Sequence, residues 1–188
     1  MKHYGGTEIF KDALRAVLIL ICAAIFVPSM PVNYFTATGR ERLLFSCPVP
    51  NGYPFVTTYI HSLELTPVRD DYRFVSGRVW GWEEWTRSLN AGLPSVPSPH
   101  TRLVMSDEWM ITRGGRRARD VIHYRIGTGE FGRNIWQLEP WREINIFEKY
   151  PRYRVALEAS VVPFGQAKLS GFDMIHGQPN ASPRIFSM

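Results

Sequence analysis

The sequence predicts an all-β domain, an antiparallel sandwich or barrel-like fold, carried by one N-terminal transmembrane helix. Residues 16–27 are all apolar. After Phe35, no amphipathic helix longer than about two turns is evident. Strand-like runs recur about every eight to twelve residues and alternate with turn residues, which is typical of sandwiches and barrels. With 188 residues, 45% of them hydrophobic, the chain suits one compact domain.

The apolar segment near the N-terminus fits two kinds of element. Its uninterrupted core, AVLILICAAIFV, has the length of a signal-peptide core, whereas residues 13–32 supply about the twenty residues that a membrane span needs. No A-x-A cleavage site follows it, and Pro28 and Pro31 would end a helix at the far membrane face. We therefore expect an uncleaved anchor, with a removed signal peptide as the alternative.

The charges around this segment predict its orientation. Lys2, Lys11 and Arg15 precede it, whereas Arg40 and Arg42 follow it. Because the side richer in Lys and Arg stays in the cytoplasm, residues 1–12 are expected to be cytoplasmic and the C-terminal domain extracytoplasmic. The predicted localisation is the cytoplasmic (inner) membrane, crossed once, with the lipid bilayer as a partner.

The exported part is expected to consist of a linker at 33–41, a β-domain at 42–176 and a poorly ordered tail at 177–188. The runs DYRFVS and RVWGWEEW predict a hairpin around Gly77, and TRLVMS with EWMITR predicts a second one around Ser106 and Asp107. The other strand-like runs are RLLFSC, PFVTTYIHSLEL, RDVIHYRI, REINIF and RVALEASVV.

Composition narrows the function classes. The net charge of +5 is moderate, and the basic residues form no long block, so no nucleic-acid partner is expected. The two cysteines, Cys22 and Cys47, indicate neither a disulfide framework nor a metal cluster. We expect no cofactor.

The segment YIHSLELTP contains the most concentrated set of polar residues that could do chemistry. His61 and Glu64 are three residues apart, so on a strand they point to opposite faces and converge only if the chain bends between them. One interpretation is an acid/base or metal pair, completed by Asp70 or Asp71. The other places His61 in a hydrogen bond at the end of a strand, with Thr66 starting a turn. We favour the second, because a metal site needs three or more convergent ligands and two are visible.

Three further motifs have both a functional and a structural interpretation. GTGEFG, residues 127–132, matches the spacing of a dinucleotide-binding loop, but no helical pattern follows it, which favours a hairpin or bulged loop. The segment TRGGRRARD is either a surface for anionic groups or a solvated hairpin tip; its arginines are Arg113, Arg116, Arg117 and Arg119. The tryptophans at 80, 82 and 85 are interpreted as a core seam rather than a sugar-binding platform.

Two segments together resemble a known family. HSLELTPV, beginning at His61 and followed by Asp70 and Asp71, is similar to HSVE-x-TPV-x-E, and NAGLP, beginning at Asn90, is similar to GAGLP. Both patterns are typical of a bacterial and archaeal family of small domains of unknown function. The resemblance covers roughly residues 43–116, with Leu63 in place of valine and Asn90 in place of glycine. It implies genes beside tripartite ATP-independent periplasmic (TRAP) transporters of the TAXI type, and no established activity.

Two hypotheses follow. The favoured one is a non-enzymatic, membrane-anchored extracytoplasmic binding module, an accessory of a TRAP transporter that contacts its membrane subunit or its solute-binding protein. The alternative is an exported hydrolase or metal-dependent enzyme that uses His61 and Glu64. The first has a predicted contact surface formed by His61, Ser62, Glu64, Thr66, Pro67, Asp70, Asp71, Asn90, Gly92 and Pro94, with the four arginines as a contact for anionic surfaces.

Overall fold

One helix leads into two antiparallel β-sheets. The computed structural model describes residues 5–88, 99–115, 117–138 and 143–168. The helices are α1 (Gly5–Ser29) and the single turn α2 (Ile146–Lys149), and a 3-10 turn spans Phe164–Gln166. The strands are β1 (Pro31–Gly39), β2 (Arg42–Val49), β3 (Tyr53–Ile60), β4 (Pro67–Val75), β5 (Arg78–Thr86), β6 (Thr101–Ser106), β7 (Trp109–Gly114), β8 (Ala118–Arg119), β9 (Val121–Arg125), β10 (Ile135–Leu138), β11 (Glu143–Ile144) and β12 (Arg154–Pro163).

The two sheets differ in width. The narrow sheet has the order β2-β1-β12-β9. The wide sheet has the order β11-β10-β3-β4-β5-β7-β6, and β8 pairs with β5 beside β7. All these strand pairs are antiparallel, and neither order returns to its first strand. The antiparallel β prediction is therefore confirmed, and the sheets are open rather than closed into a barrel.

The hydrophobic core lies between the two sheets. Strands that alternate buried and exposed side chains bury one face each, and here both sheets turn their apolar faces to each other. Phe35 and Phe45 come from the narrow sheet, and Phe55, Phe74 and Trp136 come from the wide one. Their rings are in contact, with centroids 4.6–5.9 Å apart in the pairs that Phe35 and Phe55 form. We call the face of the wide sheet that carries these rings its inner face.

The predicted linker at 33–41 is wrong, because residues 31–39 form β1 in the interior of the narrow sheet. β1 pairs with β12 on one side and β2 on the other. Its buried positions alternate with less buried ones, and they include Asn33 as well as Phe35 and Ala37. The Asn and Thr residues that suggested a linker are accommodated because the strand supplies their backbone partners and Asn33 accepts a hydrogen bond from Gly77 N at 2.7 Å.

The N-terminal helix ends at Ser29, short of the predicted boundary at 32. Among the residues that the structure describes, no helix meets the length and hydropathy of a membrane-spanning segment. The predicted transmembrane anchor is thus not confirmed. The helix joins the β-domain directly: Phe164 N donates to Met30 O at 2.8 Å, and Gly165 packs against Pro28.

Most of the predicted strands are present, and both predicted hairpins are confirmed. β4 and β5 are joined at Ser76 and Gly77, and β6 and β7 are joined at Asp107 and Glu108. The run REINIF is a two-residue strand followed by α2, and β10 was not predicted. The predicted tail at 177–188 lies outside the described residues.

Candidate functional site: a charged cleft beside the core

The turn 61–66 joins β3 to β4 and is closed by its own backbone. His61 N donates to Thr66 O at 2.8 Å, and Leu65 N donates to His61 O at 2.9 Å. The His61 ring nitrogen Nδ1 faces the amides of Leu63 and Glu64 at 3.3 and 3.4 Å. The imidazole therefore caps a turn at the end of a strand, as the structural interpretation of YIHSLELTP predicted for His61. Thr66 ends this turn, whereas the prediction had it starting one.

The other predicted contact residues are divided between this turn and the two faces of β4. Ser62 is exposed, and the Glu64 carboxylate accepts a hydrogen bond from the Ser88 hydroxyl at 3.2 Å. Thr66 and Pro67 complete the turn and begin β4. Asn90, Gly92 and Pro94 lie outside the described residues.

The carboxylates of Asp70 and Asp71 do not complete a metal site with His61 and Glu64. Successive strand residues point to opposite faces, so the two aspartates separate. Asp71 forms a two-contact ion pair with Arg69 on the outer face, at 2.7 and 3.2 Å. In the described part of the chain, no group of three or more His, Cys, Asp or Glu side chains is placed to hold a metal ion. The metal-dependent alternative therefore gains no support from this geometry.

A cleft of about 310 Å³ opens on the inner face of the wide sheet. Ile122 of β9, the strand at the edge of the narrow sheet, also lines the cleft. Strands β4, β5, β6 and β7 form its floor, and Gly115, Arg117, Arg119 and Ile122 form a wall. The polar side chains that line it include Asp70, Tyr72, Glu84, Thr112, Arg117 and Arg119.

Strand register places the floor residues in one row. Asp70 is the cross-strand partner of Thr57 on β3 and of Glu84 on β5, and Glu84 is the partner of Thr112 on β7. Directly opposed residues point to the same face with Cβ atoms about 4.5–5.5 Å apart. Thr57 is itself opposed to the core residue Trp136, so the whole row lies on the inner face.

A β-bulge shapes the cleft. The register of β4 and β5 shifts between Asp71 and Tyr72, and beyond the shift Tyr72 is opposed to Gly81. A Cβ atom added at Gly81 would meet nothing within 4 Å. The absence of a side chain at this position leaves open space beside the two carboxylates.

Burial changes the ionisation of this row. Desolvation, together with the nearby Glu84 and Asp71, raises the pKa of Asp70 to about 7, although Tyr72 lowers the pKa by donating to Asp70 Oδ2 at 3.4 Å. Burial also raises the pKa of Glu84. In the part of the chain that the structure describes, neither carboxylate has an ion pair with a basic side chain. Two facing carboxylates therefore share a site without a compensating cation.

Tyrosine hydroxyls cover the other side of Asp70. The rings of Tyr59 and Tyr124 meet edge to face with centroids 6.3 Å apart, which joins β3 of the wide sheet to β9 of the narrow sheet. Burial raises the pKa of each phenol, so both hydroxyls stay protonated. The Tyr124 hydroxyl accepts a hydrogen bond from the buried Asn134 amide at 2.8 Å.

The GTGEFG segment supports this arrangement and is confirmed as a tight loop. Thr128 forms a bridge with Gly132, and β10 rather than a helix follows. Gly127 N donates to Asn134 Oδ1, which fixes the amide that holds Tyr124. A Cβ atom at Gly127 would overlap the carbonyl of Phe131, so this position requires glycine.

The four arginines of TRGGRRARD do not form one surface. Arg113 pairs with Glu83 at 2.9 Å on the outer face, whereas Arg117 and Arg119 line the cleft and are exposed. Arg116 lies outside the described residues. The prediction of a hairpin tip is wrong, because β7 and β8 both pair with β5. The chain bends between them at Gly114 and Gly115, whose φ angles of 88° and 54° suit glycine.

The tryptophan prediction also needs correction. None of Trp80, Trp82 and Trp85 belongs to the core cluster of the described residues. They are partly buried, and the guanidinium groups of Arg73 and Arg69 cover Trp82 and Trp85 at 5.5 and 5.4 Å from the ring centroids. Cation–π contacts thus stabilise an outer face that the sequence pattern assigned to the core.

Asp70, Arg117 and Arg119 were among the predicted site residues, whereas Glu84, Tyr72 and Tyr124 were not. Glu83 and Glu84 both lie in the strand-like run RVWGWEEW. Which of them faces the inner side of the wide sheet depends on the bulge. The nearest sequence signal for Glu84 is the predicted β4–β5 hairpin around Gly77. Without the bulge, however, its register would oppose Asp70 to Glu83 rather than to Glu84.

Replacing Asp70 with asparagine is expected to raise the free energy of unfolding at about pH 8 by about 4 kcal/mol, with little change near pH 4. The folded-state pKa of about 7 lies above the ordinary 3.8, so the native state binds this proton more tightly than the unfolded chain. Its stability contribution is complete below about pH 4 and is lost as pH rises to about 7. Asparagine never ionises. Urea unfolding at several pH values measures the difference between the two proteins.

The matched control for this prediction is Asp120→Asn. Asp120 is exposed and pairs with Arg78 at 2.9 Å, so its replacement is expected to change stability by less than about 0.5 kcal/mol at every pH. If the stability difference between Asp70→Asn and the unchanged protein did not vary with pH, Asp70 would not have a raised pKa in the folded state.

Comparison with known proteins gives one match. Residues 55–138 match the family described as a domain of unknown function, DUF1850. The match extends from β3 to the end of β10 and includes the named residues of the cleft. No curated protein and no solved structure matches the chain. The match is consistent with the predicted resemblance to a family of unknown function, whereas the connection to TRAP transporters stays a prediction.

Proposed function

We propose that the chain is a membrane-tethered, extracytoplasmic binding module that serves as an accessory of a TRAP transporter of the TAXI type. The observation that carries the binding role is the cleft, an open concave site in which four charged side chains form no ion pair with the residues that the structure describes: Asp70, Glu84, Arg117 and Arg119. Such sites are where small ligands bind most often. The transporter as partner comes from the sequence resemblance described above.

The proposal of a membrane tether is based on the exposed apolar surface of α1. Five consecutive apolar residues, 17–21, are all exposed, as are Ile25 and Phe26. Successive helix residues differ by about 100° around the axis, so these five residues cover every side of the helix. A helix that is apolar all round is stable only when another apolar phase surrounds it, and a bilayer provides one. α1 is proposed as the anchor because of this surface.

The direct junction between α1 and the sheets would orient the domain. β1 leaves the end of α1, and its register with β2 places the start of β3 at the same end of the domain. The eight residues of β3 then extend about 26 Å before the turn 61–66 begins. That turn, with exposed Leu63 and Leu65 at its tip, would face away from the membrane, toward a solute-binding protein or the exposed part of a membrane subunit. Tethering raises the effective concentration of such a partner, so even weak contacts suffice.

Affinity purification of the tagged full chain in mild detergent tests this proposal. We expect recovery of a transporter membrane subunit or its solute-binding protein, and loss of most of that recovery in the variant Leu63→Ser/Leu65→Ser. The matched control is Leu43→Ser, which removes an exposed leucine elsewhere on the domain and is expected to leave recovery unchanged. Purification without any transporter component, from cells that express both, would contradict the accessory role.

A further inference from the structure

We infer that the cleft binds a small zwitterion of the α-amino acid class, with its ammonium group between Asp70 and Glu84 and its carboxylate at Arg117 and Arg119. This inference rests on the proposed function as a binding module and adds the chemical class of the ligand.

The floor of the cleft has two facing carboxylates that would bind a cation, Asp70 and Glu84. Asp70 and Glu84 are direct cross-strand partners, and like charges placed opposite each other destabilise a sheet. They are also partly buried, where an uncompensated carboxylate is costly. Nearby Asp71 differs, because Arg69 neutralises it on the other face. A ligand ammonium group would supply the missing positive charge and three hydrogen-bond donors to the two carboxylates.

The wall of the cleft presents two exposed arginines that can bind an anion, Arg117 and Arg119. Several other arginines of the β-domain have an acidic partner at 2.7–2.9 Å: Arg69, Arg78, Arg87 and Arg113. Arg117 and Arg119 have no such ion pair with the residues that the structure describes, although both line the cleft. A guanidinium group binds a carboxylate through two parallel hydrogen bonds, which fixes the orientation of the ligand as well as attracting it.

The floor of the cleft carries negative charges and its wall carries positive ones. Because both line the same small cavity, we expect it to prefer a ligand with both an ammonium group and a carboxylate, a zwitterion. A volume of about 310 Å³ is at the lower end of the range for ligand sites and suits a molecule of amino-acid size. A simple amine would leave the arginines without an anion, and a simple carboxylate would be repelled by the floor. The open space at Gly81 and the small side chain of Thr112 leave room for the ligand between the two charged ends.

Thermal-shift measurements on the full chain in detergent test the inference. The probes are the twenty proteinogenic L-α-amino acids, each added separately at about 10 mM. We expect at least one to raise the unfolding temperature. For that amino acid, the amine that lacks its carboxylate and the acid that lacks its ammonium group serve as further probes, and each is expected to give less than a third of the shift.

Two variants assign the shift to the cleft. The effect of the amino acid is expected to be lost in Glu84→Gln and in Arg117→Gln/Arg119→Gln. It is expected to persist in Glu108→Gln and in Arg102→Gln, which change exposed charges outside the cleft lining. No shift with any of the twenty amino acids would overturn the inference. An amine or an acid as effective as the amino acid would also overturn it, because one end of the ligand would then be unnecessary.

The pH dependence of affinity provides a second readout. The groups that surround Asp70 are Glu84, Asp71 and the phenols of Tyr59, Tyr72 and Tyr124, and the phenols stay protonated. With a free-state pKa of about 7, Asp70 must lose its proton to bind an ammonium group. Calorimetric titration with the amino acid found above should therefore give binding about tenfold weaker at pH 6 than at pH 8. An affinity that does not change across this range would contradict the placement of the ammonium group.

These tests are independent of those for the tether and the partner. If no amino acid binds but the transporter component copurifies, the ligand class is wrong and the accessory role stands. If an amino acid binds but no transporter component is recovered, the cleft has its ligand and the accessory role fails.

Discussion

Replacing Phe35 with alanine is expected to lower the free energy of unfolding by about 3–5 kcal/mol. Phe35 is fully buried at the centre of β1, and its ring contacts Phe45 of its own sheet. Across the core it also contacts Phe55 and Phe74 of the wide sheet, with centroids 5.2 and 4.6 Å away. Removing the ring would leave a cavity between the sheets, because neighbours from both sheets cannot collapse into it together. Urea unfolding of the full chain in detergent, followed by tryptophan fluorescence, measures the loss.

Two further variants make this result specific to the core. Phe131 is 58% exposed, so Phe131→Ala is expected to change stability by less than about 0.5 kcal/mol. Phe35→Leu keeps most of the apolar volume and is expected to lose about 1–2 kcal/mol, so an effect is measurable even if the alanine variant does not fold. A loss below about 1 kcal/mol for Phe35→Ala would mean that β1 does not lie between the sheets.

If α1 is the anchor proposed above, the double replacement Leu20→Lys/Ile21→Lys is expected to release the protein from the membrane. Each lysine at the centre of a membrane helix costs about 2.5–3.5 kcal/mol, and the loss of the apolar side chain adds about half a kcal/mol, so two replacements cost about 6–8 kcal/mol. Both residues lie well inside α1 and are exposed. The measurement is the fraction of protein that remains in the membrane pellet after extraction with alkaline carbonate. We expect nearly all of the unchanged protein there and little of the variant.

The matched control places the same charges on the β-domain. Leu43 and Phe131 are also exposed apolar residues, so Leu43→Lys/Phe131→Lys adds the same charge without altering α1. This control is expected to remain in the pellet. Recovery of the unchanged protein in the soluble fraction would refute the tether, and so would retention of the α1 variant.

The hairpins of the wide sheet were predictable because their signals are local. A turn needs a residue that accepts a positive φ angle, and alternating side chains on either side need only their neighbours in sequence. Gly77 has a φ angle of 71° and Asp107 one of 50°, and each lies in a turn between two adjacent strands. The end of β3 was placed less well: the predicted run PFVTTYIHSLEL closes at Thr66 and Pro67, whereas β3 ends at Ile60 and the turn spans residues 61–66.

The position of β1 was not predictable from its own residues. Its sequence contains Asn, Thr and Gly, which are typical of a linker. It becomes an interior strand because β12 pairs with it along its whole length, from Pro31 opposite Pro163 to Gly39 opposite Val155. Because β12 lies more than a hundred residues away in the sequence, the residues around β1 contain no periodic pattern that indicates this pairing.

The sequence by itself determined that the chain beyond its N-terminal apolar segment is antiparallel β, and where its hairpins turn. These follow from hydrophobic periodicity and turn chemistry, which act over a few residues. Only the tertiary structure decided that Asp70 faces Glu84 in a cleft while Asp71 binds Arg69 on the other face. The physical reason is that a one-residue bulge between β4 and β5 reverses which residues of β5 share a face with Asp70, and the alternation of residues in the sequence does not indicate where that bulge falls.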